Sequence, residues 1–345
     1  MGLQSRPPAK DRFAEPAGPH PGKEGDTIMH LSARPLAKDR FAEPADLHVD
    51  AALSHISLDF RNDEFIADRV SPRIRVEKES DKYFVWSTEA FQTPSTARSP
   101  KSLFARTEFA PATASFVCEE YGLEVPIDDR ERRNADPGAD IEIAAVEKAT
   151  GIIMTCREKR LADILTSTSR VTQNTTLSGT SQWNDYTNST PIANIDTARS
   201  TIHAAGAPNP NTLVMGREVF DTLKRHPDIL EAFKYTRSGA VTEAMMADLL
   251  GVERVLVGNA RYRTSNEGQA SVLSYVWGKN AVLLYTPSMP SRFTPAATYT
   301  FVFTDRVVET YREPYKTCTV VRVREETAEV ITSTACCYLI KNAIA

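Results

Sequence analysis

The histidines are the first candidates for acid–base or metal chemistry, and their spacing supports neither. The chain has six, and no two stand four residues apart as two metal ligands on one helix face would. His48 and His55 lie near Asp50 and Asp59, but seven residues separate them, and we interpret the grouping as chance or solvent-facing placement. The sequence therefore predicts no histidine metal centre, and neither a metal nor another cofactor is expected.

The five cysteines are equally poor candidates for a site. No Cys-x-x-Cys pair occurs, and Cys336 and Cys337 are adjacent, so in a strand their side chains would point to opposite faces. We expect buried, reduced thiols. The sequence also lacks the glycine-rich loops that hold phosphates and the Gly-x-Ser-x-Gly turn of serine hydrolases.

One charged hexapeptide resembles a carboxylate pair for acid–base catalysis. A mixed-sign run before the break at Asp136-Pro137-Gly138 is typical of a solvated loop, and its alternative role is ion pairing between subunits. The run consists of Asp128, Asp129, Arg130, Glu131, Arg132 and Arg133. Neither interpretation makes the protein an enzyme.

Composition limits the class of protein. The 345 residues are 41% hydrophobic and 25% charged, as in a soluble globular protein of one large or two ordinary domains. The net charge of -4 gives no overall attraction for nucleic acid. No apolar run approaches the roughly 20 residues that cross a bilayer, and residues 1–21 lack the apolar core of a signal peptide. We therefore expect a cytoplasmic product without membrane contact.

The N-terminal segment differs from the rest of the chain. Residues 6–17 recur almost unchanged as residues 34–45, and seven of the 21 prolines fall in this segment. Two short polar copies cannot build a repeat protein, which needs about three units that bury their faces. The segment is either an arm that orders against a neighbouring molecule or a small duplication ahead of a true start at Met29.

Residues 60–133 carry the pattern of strands. Period-2 segments begin at Arg73 and Tyr83, and a further strand or short helix is predicted over residues 114–125. The stretch between residues 87 and 109 is polar and has little to bury. We interpret it as a protruding two-stranded loop that another chain must cover, because an isolated hairpin is only marginally stable in water.

The longest helix is predicted over residues 139–168, a rod of roughly 40 Å. Lys148 and Arg157 break any coiled-coil seam, so we expect this helix to pack across a sheet. Its predicted apolar stripe is Ile141, Ala145, Ile152 and Cys156, widened by Ile143, Val146, Ile153, Leu161 and Leu165. Glu158, Lys159 and Arg160 are expected on the solvated side.

Residues 211–285 alternate strands and helices and predict one α/β domain. A buried strand ends on Gly216, a short helix stops at His226-Pro227, and a second helix closes on Gly251 before two more apolar strands. The segment before this domain, residues 170–191, is rich in Ser, Thr and Asn and is predicted to be an exposed connection. Three more strand candidates lie at residues 299–303, 317–324 and 329–340.

This order of elements resembles the major capsid proteins of tailed bacteriophages with the HK97-type fold, over roughly residues 60–338. Each motif alone is degenerate, and the order and distances make the resemblance fairly specific. The motifs are Asn211-Thr-Leu-Val-Met-Gly, Phe220, Leu223, His226-Pro227, Leu250-Gly-Val-Glu-Arg-Val-Leu-Val-Gly-Asn-Ala and Val276-Trp-Gly. Residues 65–78 are also similar to the segment that enters the extended loop of such proteins.

The resemblance implies an α+β subunit whose parts follow one another along the chain. They are an N-terminal arm (1–58), the start of a peripheral domain (59–76), an extended β-hairpin loop (77–107), the peripheral domain with a spine helix at about 139–168 (108–190), an α/β axial domain (191–295) and a return to the peripheral sheet (296–345). The chain lacks the charged helical leader that some members carry and cleave, which implies a separate scaffolding protein.

The resemblance further implies a major capsid protein that self-assembles in the host cytoplasm into hexamers and pentamers of an icosahedral virion shell. The shell would enclose double-stranded DNA without reading its sequence, and a scaffolding protein, a portal and a decoration protein are the implied partners. Subunit contacts are expected at the charge run and at Tyr83, Phe84, Trp86, Phe91 and Phe104. An encapsulin-like bacterial compartment shell is the alternative, and a cytoplasmic enzyme with an unfamiliar site is a distant one.

Overall fold

The computed structural model describes two five-stranded sheets, two separate hairpins and seven α-helices within residues 48–49, 65–85, 96–98, 103–104, 112–135, 140–234, 241–266, 268–291 and 293–345. This mixture confirms the predicted α+β class. Of the arm predicted over residues 1–58, all but His48–Val49 lies outside these ranges.

The elements are numbered in chain order. The strands are β1 (His48–Val49), β2 (Arg73–Arg75), β3 (Ser80–Val85), β4 (Ala112–Val117), β5 (Glu119–Asp128), β6 (Asn174–Thr176), β7 (Thr212–Gly216), β8 (Arg254–Gly258), β9 (Arg261–Arg263), β10 (Leu273–Tyr275), β11 (Ala281–Leu284), β12 (Thr298–Glu313), β13 (Cys318–Ile331) and β14 (Cys337–Lys341). The α-helices are α1 (Ala67–Val70), α2 (Asp129–Asn134), α3 (Ile141–Leu165), α4 (Pro191–Ala204), α5 (Arg217–Leu223), α6 (Pro227–Phe233) and α7 (Glu243–Leu250).

The first sheet is built on the long antiparallel pair β12 and β13. Its spatial order is β1-β12-β13-β5, and β2 pairs parallel with β12. The turn between β12 and β13 places Thr317 at φ 50°, a left-handed conformation that a non-glycine residue rarely adopts. Beneath the sheet lies helix α3, where the sequence predicted a helix over residues 139–168.

The contact between α3 and the sheet is an apolar layer. Val146, Ala149 and Ile153 of the helix share a buried cluster with sheet residues such as Val321 and Val323. Burial of such a stripe supplies most of the stability of a helix in a folded protein. The helix therefore packs across a sheet, as the broken coiled-coil pattern predicts.

The buried stripe of α3 differs in part from the predicted one. Ile152 is 43% exposed and Cys156 is exposed, whereas Arg157 and Glu158 are almost wholly buried. The prediction was wrong at Ile152, Cys156 and Glu158, because polarity alone does not assign the sides of a helix. Steps of three and four residues lead from Ile153 through Arg157 to Leu161, which places the charged residue on the core side.

The second sheet has the order β6-β14-β11-β7-β8, with β7 and β8 parallel. All five residues of β7 are buried, as the sequence predicts for a strand that ends on glycine. Helix α7 ends at Gly251 with φ 63°, the left-handed conformation that closes many helices. Helices α4 to α7 enclose one face in a cluster that includes Ile202, Phe220 and Met246.

Two parts of the sequence assignment need correction here. Strand β14 pairs with β11 of the second sheet, although residues 296–345 were assigned to the peripheral sheet. Its run Cys-Tyr-Leu-Ile is buried throughout, which suits a strand lying between two others. The segment 170–191 is also more than an exposed connection, because it contains β6 and the fully buried Trp183.

His226 connects this segment to helix α6. Its Nδ1 accepts a hydrogen bond from the Asp228 amide at 3.2 Å, so the proton lies on Nε2, which donates to the Ser189 hydroxyl at 2.9 Å. The ring is fully buried, and burial lowers its pKa below the ordinary value of 6.5. The neutral ring thus caps a helix that begins at Pro227.

We expect acid to destabilise the subunit through His226. Because the folded pKa is lowered, the unfolded chain binds the proton first, and the contribution to stability is present above pH 6.5 and is lost as pH falls toward the folded pKa. Urea unfolding at a series of pH values measures this. In His226→Asn, which keeps a capping acceptor without a titrating ring, that part of the pH dependence should disappear. An unchanged pH profile in this variant would contradict the assignment.

Candidate subunit interface

Strands β3 and β4 form the base of the predicted extended loop. They pair antiparallel from Ser80 with Val117 to Val85 with Ala112. One face of the hairpin is covered by the subunit itself: Tyr83 is 9% exposed, and its ring centroid lies 5.8 Å from that of Phe301. Burial also raises the pKa of Tyr83. Tyr83 therefore anchors the hairpin to the first sheet of its own chain, and its contact with another subunit stays a prediction.

The other predicted loop aromatics divide into three cases. Phe84 is half-buried and stacks on Phe293 with centroids 5.3 Å apart. Phe104 is 70% exposed, and the Arg98 guanidinium lies 4.5 Å from its ring centre. Trp86 and Phe91 lie outside the described residues, and their role stays a prediction.

Exposed apolar side chains lie beside these aromatics. Leu103 is 84% exposed, next to Phe104, and Met289 and Phe293 are 85% and 65% exposed in the segment before β12. Leaving such side chains in water forgoes about 1.5–3 kcal/mol each relative to full burial. Several of them near one hairpin make this surface a candidate for contact with another molecule.

The charge run forms the end of β5 and the short helix α2, so it is not a loop, although none of the helix residues is buried. Asp128 caps the helix, because its carboxylate accepts from the Arg130 amide at 2.7 Å. This is the role that an acidic residue commonly takes at a helix start. The six residues are therefore held in fixed positions.

Two members of the run form ion pairs within the subunit. The Asp129 carboxylate accepts two hydrogen bonds from the Arg312 guanidinium, each at 2.5 Å, which hold its pKa below the usual range. The Arg132 guanidinium lies 2.6 Å from the Glu142 carboxylate. Arg130, Glu131 and Arg133 are exposed and form no ion pair in the described part of the subunit, and the Arg133 Nε donates to the Asp129 carbonyl at 3.2 Å.

A group of buried charges was missed by the sequence analysis. Glu325 is fully buried, and its carboxylate lies 3.2 Å from Arg306 and 3.7 Å from Arg73. Glu329 binds Arg160 through two hydrogen bonds of 3.0 and 3.2 Å. The alternation of side chains along β13 indicates that Glu325 and Glu329 are buried, since they share the side that carries the buried Val321 and Val323.

Glu158 is the most enclosed of these charges. Burial raises the pKa of its carboxyl, while donated hydrogen bonds from Trp277, Ala67 and Ile66 and the nearby Arg157 act in the opposite direction. All the donors found around it are N–H groups, which fit an ionised carboxylate. The predicted solvent-facing position of Glu158 was wrong.

The described part of the chain offers no arrangement for metal chemistry. Within it, no group of three or more His, Cys, Asp and Glu side chains could hold a metal ion. The described helices include none that is long and apolar enough to cross a membrane. Cys118, Cys318, Cys336 and Cys337 are buried free thiols as predicted, and Cys156 is the exception. The features that remain are surfaces for contact between molecules.

Known proteins share both the sequence and the fold. Residues 139–306 match the family described as phage major capsid protein E. The chain is 30% identical to the major capsid protein of Pseudomonas phage JBD67, covering 86% of this chain and 97% of that protein. A phage-related protein from Bordetella bronchiseptica RB50 superposes with a TM-score of 0.71 at 25% identity, covering 86% of this chain and 98% of that one. The capsid protein of cyanophage P-SCSP1u shares the fold, with a TM-score of 0.56 at 9% identity over 79% of this chain and 86% of that one.

Proposed function

The chain belongs to the phage major capsid proteins, and from this premise we propose how one copy contacts the next in the shell. The 30% identity that extends over 97% of a phage major capsid protein is the observation that carries the assignment. The predicted HK97-type fold is confirmed by solved capsid structures. The copies therefore assemble into a multimeric shell that forms the virion capsid.

The extended loop, residues 77–107, lies over a neighbouring subunit in this proposal. The exposed Leu103 and Phe104 support it, since both gain from burial against another chain. Phe84 and Phe293 extend the same apolar surface at the base of the hairpin. The arm at residues 1–58 is assigned to a separate contact with a neighbouring subunit, and Trp86 and Phe91 to the loop contact.

The exposed charges of α2 form a second contact. Asp129 and Arg132 bind within the subunit, so they hold the helix in place. The side chains of Arg130, Glu131 and Arg133 are then available to pair with a neighbour. Charge pairs at the rim of an interface mainly fix register and association rate.

Charge reversal at Arg130 and Arg133 tests this contact. The double variant Arg130→Glu/Arg133→Glu should slow shell assembly by about tenfold at low salt and by less at high salt, because the lost attraction is screened. Its unfolding temperature should stay near that of the unchanged protein. Light scattering follows assembly, and Arg225→Glu, at an exposed arginine outside the run, is the matched control. Equal assembly rates in all three proteins would exclude the contact.

The finer assignment names the particle and its other components. Hexamers and pentamers would close an icosahedral shell around the double-stranded DNA of a tailed phage, assembled in the host cytoplasm with a separate scaffolding protein, a portal and a decoration protein. The net charge of -4 supports a shell that encloses DNA without binding it strongly. We assign no enzymatic activity, because the family is one of structural proteins.

Particles purified from lysed host cells test this assignment. Mass spectrometry should find this chain as the main protein of DNA-filled particles, together with a portal in a minor amount. Particles that contain a cargo enzyme and no DNA would instead support the encapsulin-like alternative.

A further inference from the structure

Helix α3 has a second contact surface beyond the apolar layer under the first sheet. We propose that Glu158 is a positioning residue for shell assembly: through Trp277 and residues 66–67 it fixes the angle between the two sheets of each subunit. The inference rests on the proposed function, because the angle matters only if subunits tile a closed shell.

The carboxylate of Glu158 is held by three N–H groups from two distant parts of the chain. It accepts from the Ala67 amide at 2.7 Å and from the Ile66 amide at 3.1 Å. The Trp277 indole donates to its other oxygen at 2.5 Å. Hydrogen bonds to a charged group are shorter and about twice as strong as neutral ones. With the side chain fully buried, no water competes for these donors.

The donors lie in segments that lead into different sheets. Residues 66 and 67 begin helix α1, which leads directly into β2 on β12 of the first sheet. Trp277 lies in the turn between β10 and β11, and β11 is a central strand of the second sheet. One side chain on α3 thus connects the edge of one sheet to the turn beside the other.

The backbone around Trp277 is shaped to hold the indole in place. A Cβ atom added at Gly258, the last residue of β8, would lie 2.0 Å from the indole Cδ1, so a larger residue cannot occupy this position without a shift. The ring therefore packs directly on the backbone of the second sheet. Its N–H group points at Glu158 from a fixed base.

The neighbours of Glu158 along α3 connect the same parts. Arg157 lies 2.5 Å from Asp68 of α1. Lys159 lies 4.9 Å from the ring centre of Tyr262 in β9, and the Arg160 guanidinium lies 3.6 Å from that of Tyr121 in β5. Four consecutive residues of α3 therefore contact helix α1 and strand β5 on one side, and strand β9 and Trp277 on the other.

These polar contacts depend on the angle at which the groups meet, whereas the apolar contacts beside them do not. An apolar cluster also joins these parts, since it includes Val70 of α1, Leu161 of α3, Val214 of β7 and Trp277. Hydrophobic contact is non-directional and tolerates a small sliding movement, whereas a hydrogen bond weakens steeply as its angle opens. The contacts of the Glu158 carboxylate with Ile66, Ala67 and Trp277 form the joint between the two sheets. They are thus the contacts that select one angle.

A fixed angle between the two sheets matters because a shell closes only if each subunit is rotated by a set amount relative to the next. Heterologous contacts give closed assemblies only when that rotation is fixed, and otherwise produce open ones. A subunit whose sheets could tilt would present its contacts at variable angles. Such subunits should remain folded and still associate, yet form sheets, tubes or shells of mixed diameter.

The test compares the same substitution at two buried tryptophans. Trp277→Phe removes the indole donor and keeps a ring on Gly258, whereas Trp183→Phe changes a fully buried tryptophan that lies within the cluster of the second sheet alone. Glu158→Gln is the third variant, since its amide places a donor against donors. Electron microscopy then scores the fraction of closed shells of uniform diameter, and circular dichroism reports the folding of each subunit.

We expect uniform shells from the unchanged protein and from Trp183→Phe, and about a tenfold lower fraction from Trp277→Phe and Glu158→Gln with folded subunits, as the loss of one strong hydrogen bond allows. Equal fractions in all four proteins would overturn this inference alone. Failure of the unchanged protein to form shells would instead contradict the proposed function.

If either joint variant fails to fold, hydrogen exchange in the unchanged subunit decides the matter. The amides of Ile66 and Ala67 should then be as protected as the core strands, because the joint opens only with global unfolding. Exchange at the rate of a surface loop would overturn the inference.

Discussion

Deletion of residues 87–104 is expected to leave a folded subunit that no longer forms closed shells. Of this stretch the structure describes residues 96–98 and 103–104, which are exposed and belong to none of the four buried apolar clusters. The hairpin base is kept, because β3 ends at Val85 and β4 begins at Ala112. What is lost is Leu103 and Phe104, which are 84% and 70% exposed in the lone subunit.

The expected size of this effect follows from the repetition of the contact. Each copy loses the loop contact with its neighbour, and the loss is multiplied over every copy in the shell. We therefore expect no detectable closed particles by electron microscopy, while the melting temperature changes by only a few degrees. The milder variant Leu103→Ser/Phe104→Ser keeps the length of the loop and should reduce shell yield. Normal shells from the deletion variant would refute the loop assignment.

Glu325→Ala is expected to produce the largest loss of subunit stability. The carboxylate is fully buried beside Arg306, which is itself only 5% exposed, and Arg73 lies 3.7 Å away. Removal of the acid takes this carboxylate from the buried Arg306, whereas Arg73 keeps Asp68 at 3.7 Å and Asp305 at 4.0 Å. Removing one partner of a buried pair typically costs about 3–5 kcal/mol, mostly because the remaining charge is left uncompensated. The free energy of unfolding from urea titration measures the loss.

A second variant separates this explanation from simple loss of packing. In Arg306→Met/Glu325→Leu both charges are replaced by apolar side chains of similar volume, and such exchanges are often neutral. We expect the double variant to recover most of the stability lost in Glu325→Ala. If the double variant were less stable than the single one, the cost could not be assigned to an uncompensated charge.

The fold was predictable where the signal is local. The five buried residues of β7, the proline that opens α6 and the left-handed Gly251 after α7 each follow from a few neighbouring residues. Strand alternation at residues 299–303 and 317–324 is similarly local, and these segments lie in β12 and β13. These elements form wherever the pattern occurs, since the backbone alone fixes their period.

The charged joint was not predictable by the same means. The partners of Glu158 lie 91 and 119 residues away along the chain, and no local pattern indicates which elements cover a helix face. The helical spacing from Ile153 to Leu161 places Arg157 and Glu158 on the buried side of the helix, although charged residues are typical of the solvated side. Tyr83 shows the reverse case: an aromatic residue that suggests an interface is partly used to anchor its own hairpin.

The central claim is that this chain is the repeated subunit of a closed shell. Electron microscopy of the purified full-length protein, expressed without other phage proteins and concentrated in near-physiological salt, tests it most directly. We predict hollow polyhedral shells of uniform diameter, with six-fold and five-fold clusters of subunits. A population that stays monomeric or dimeric at every protein concentration would contradict the claim.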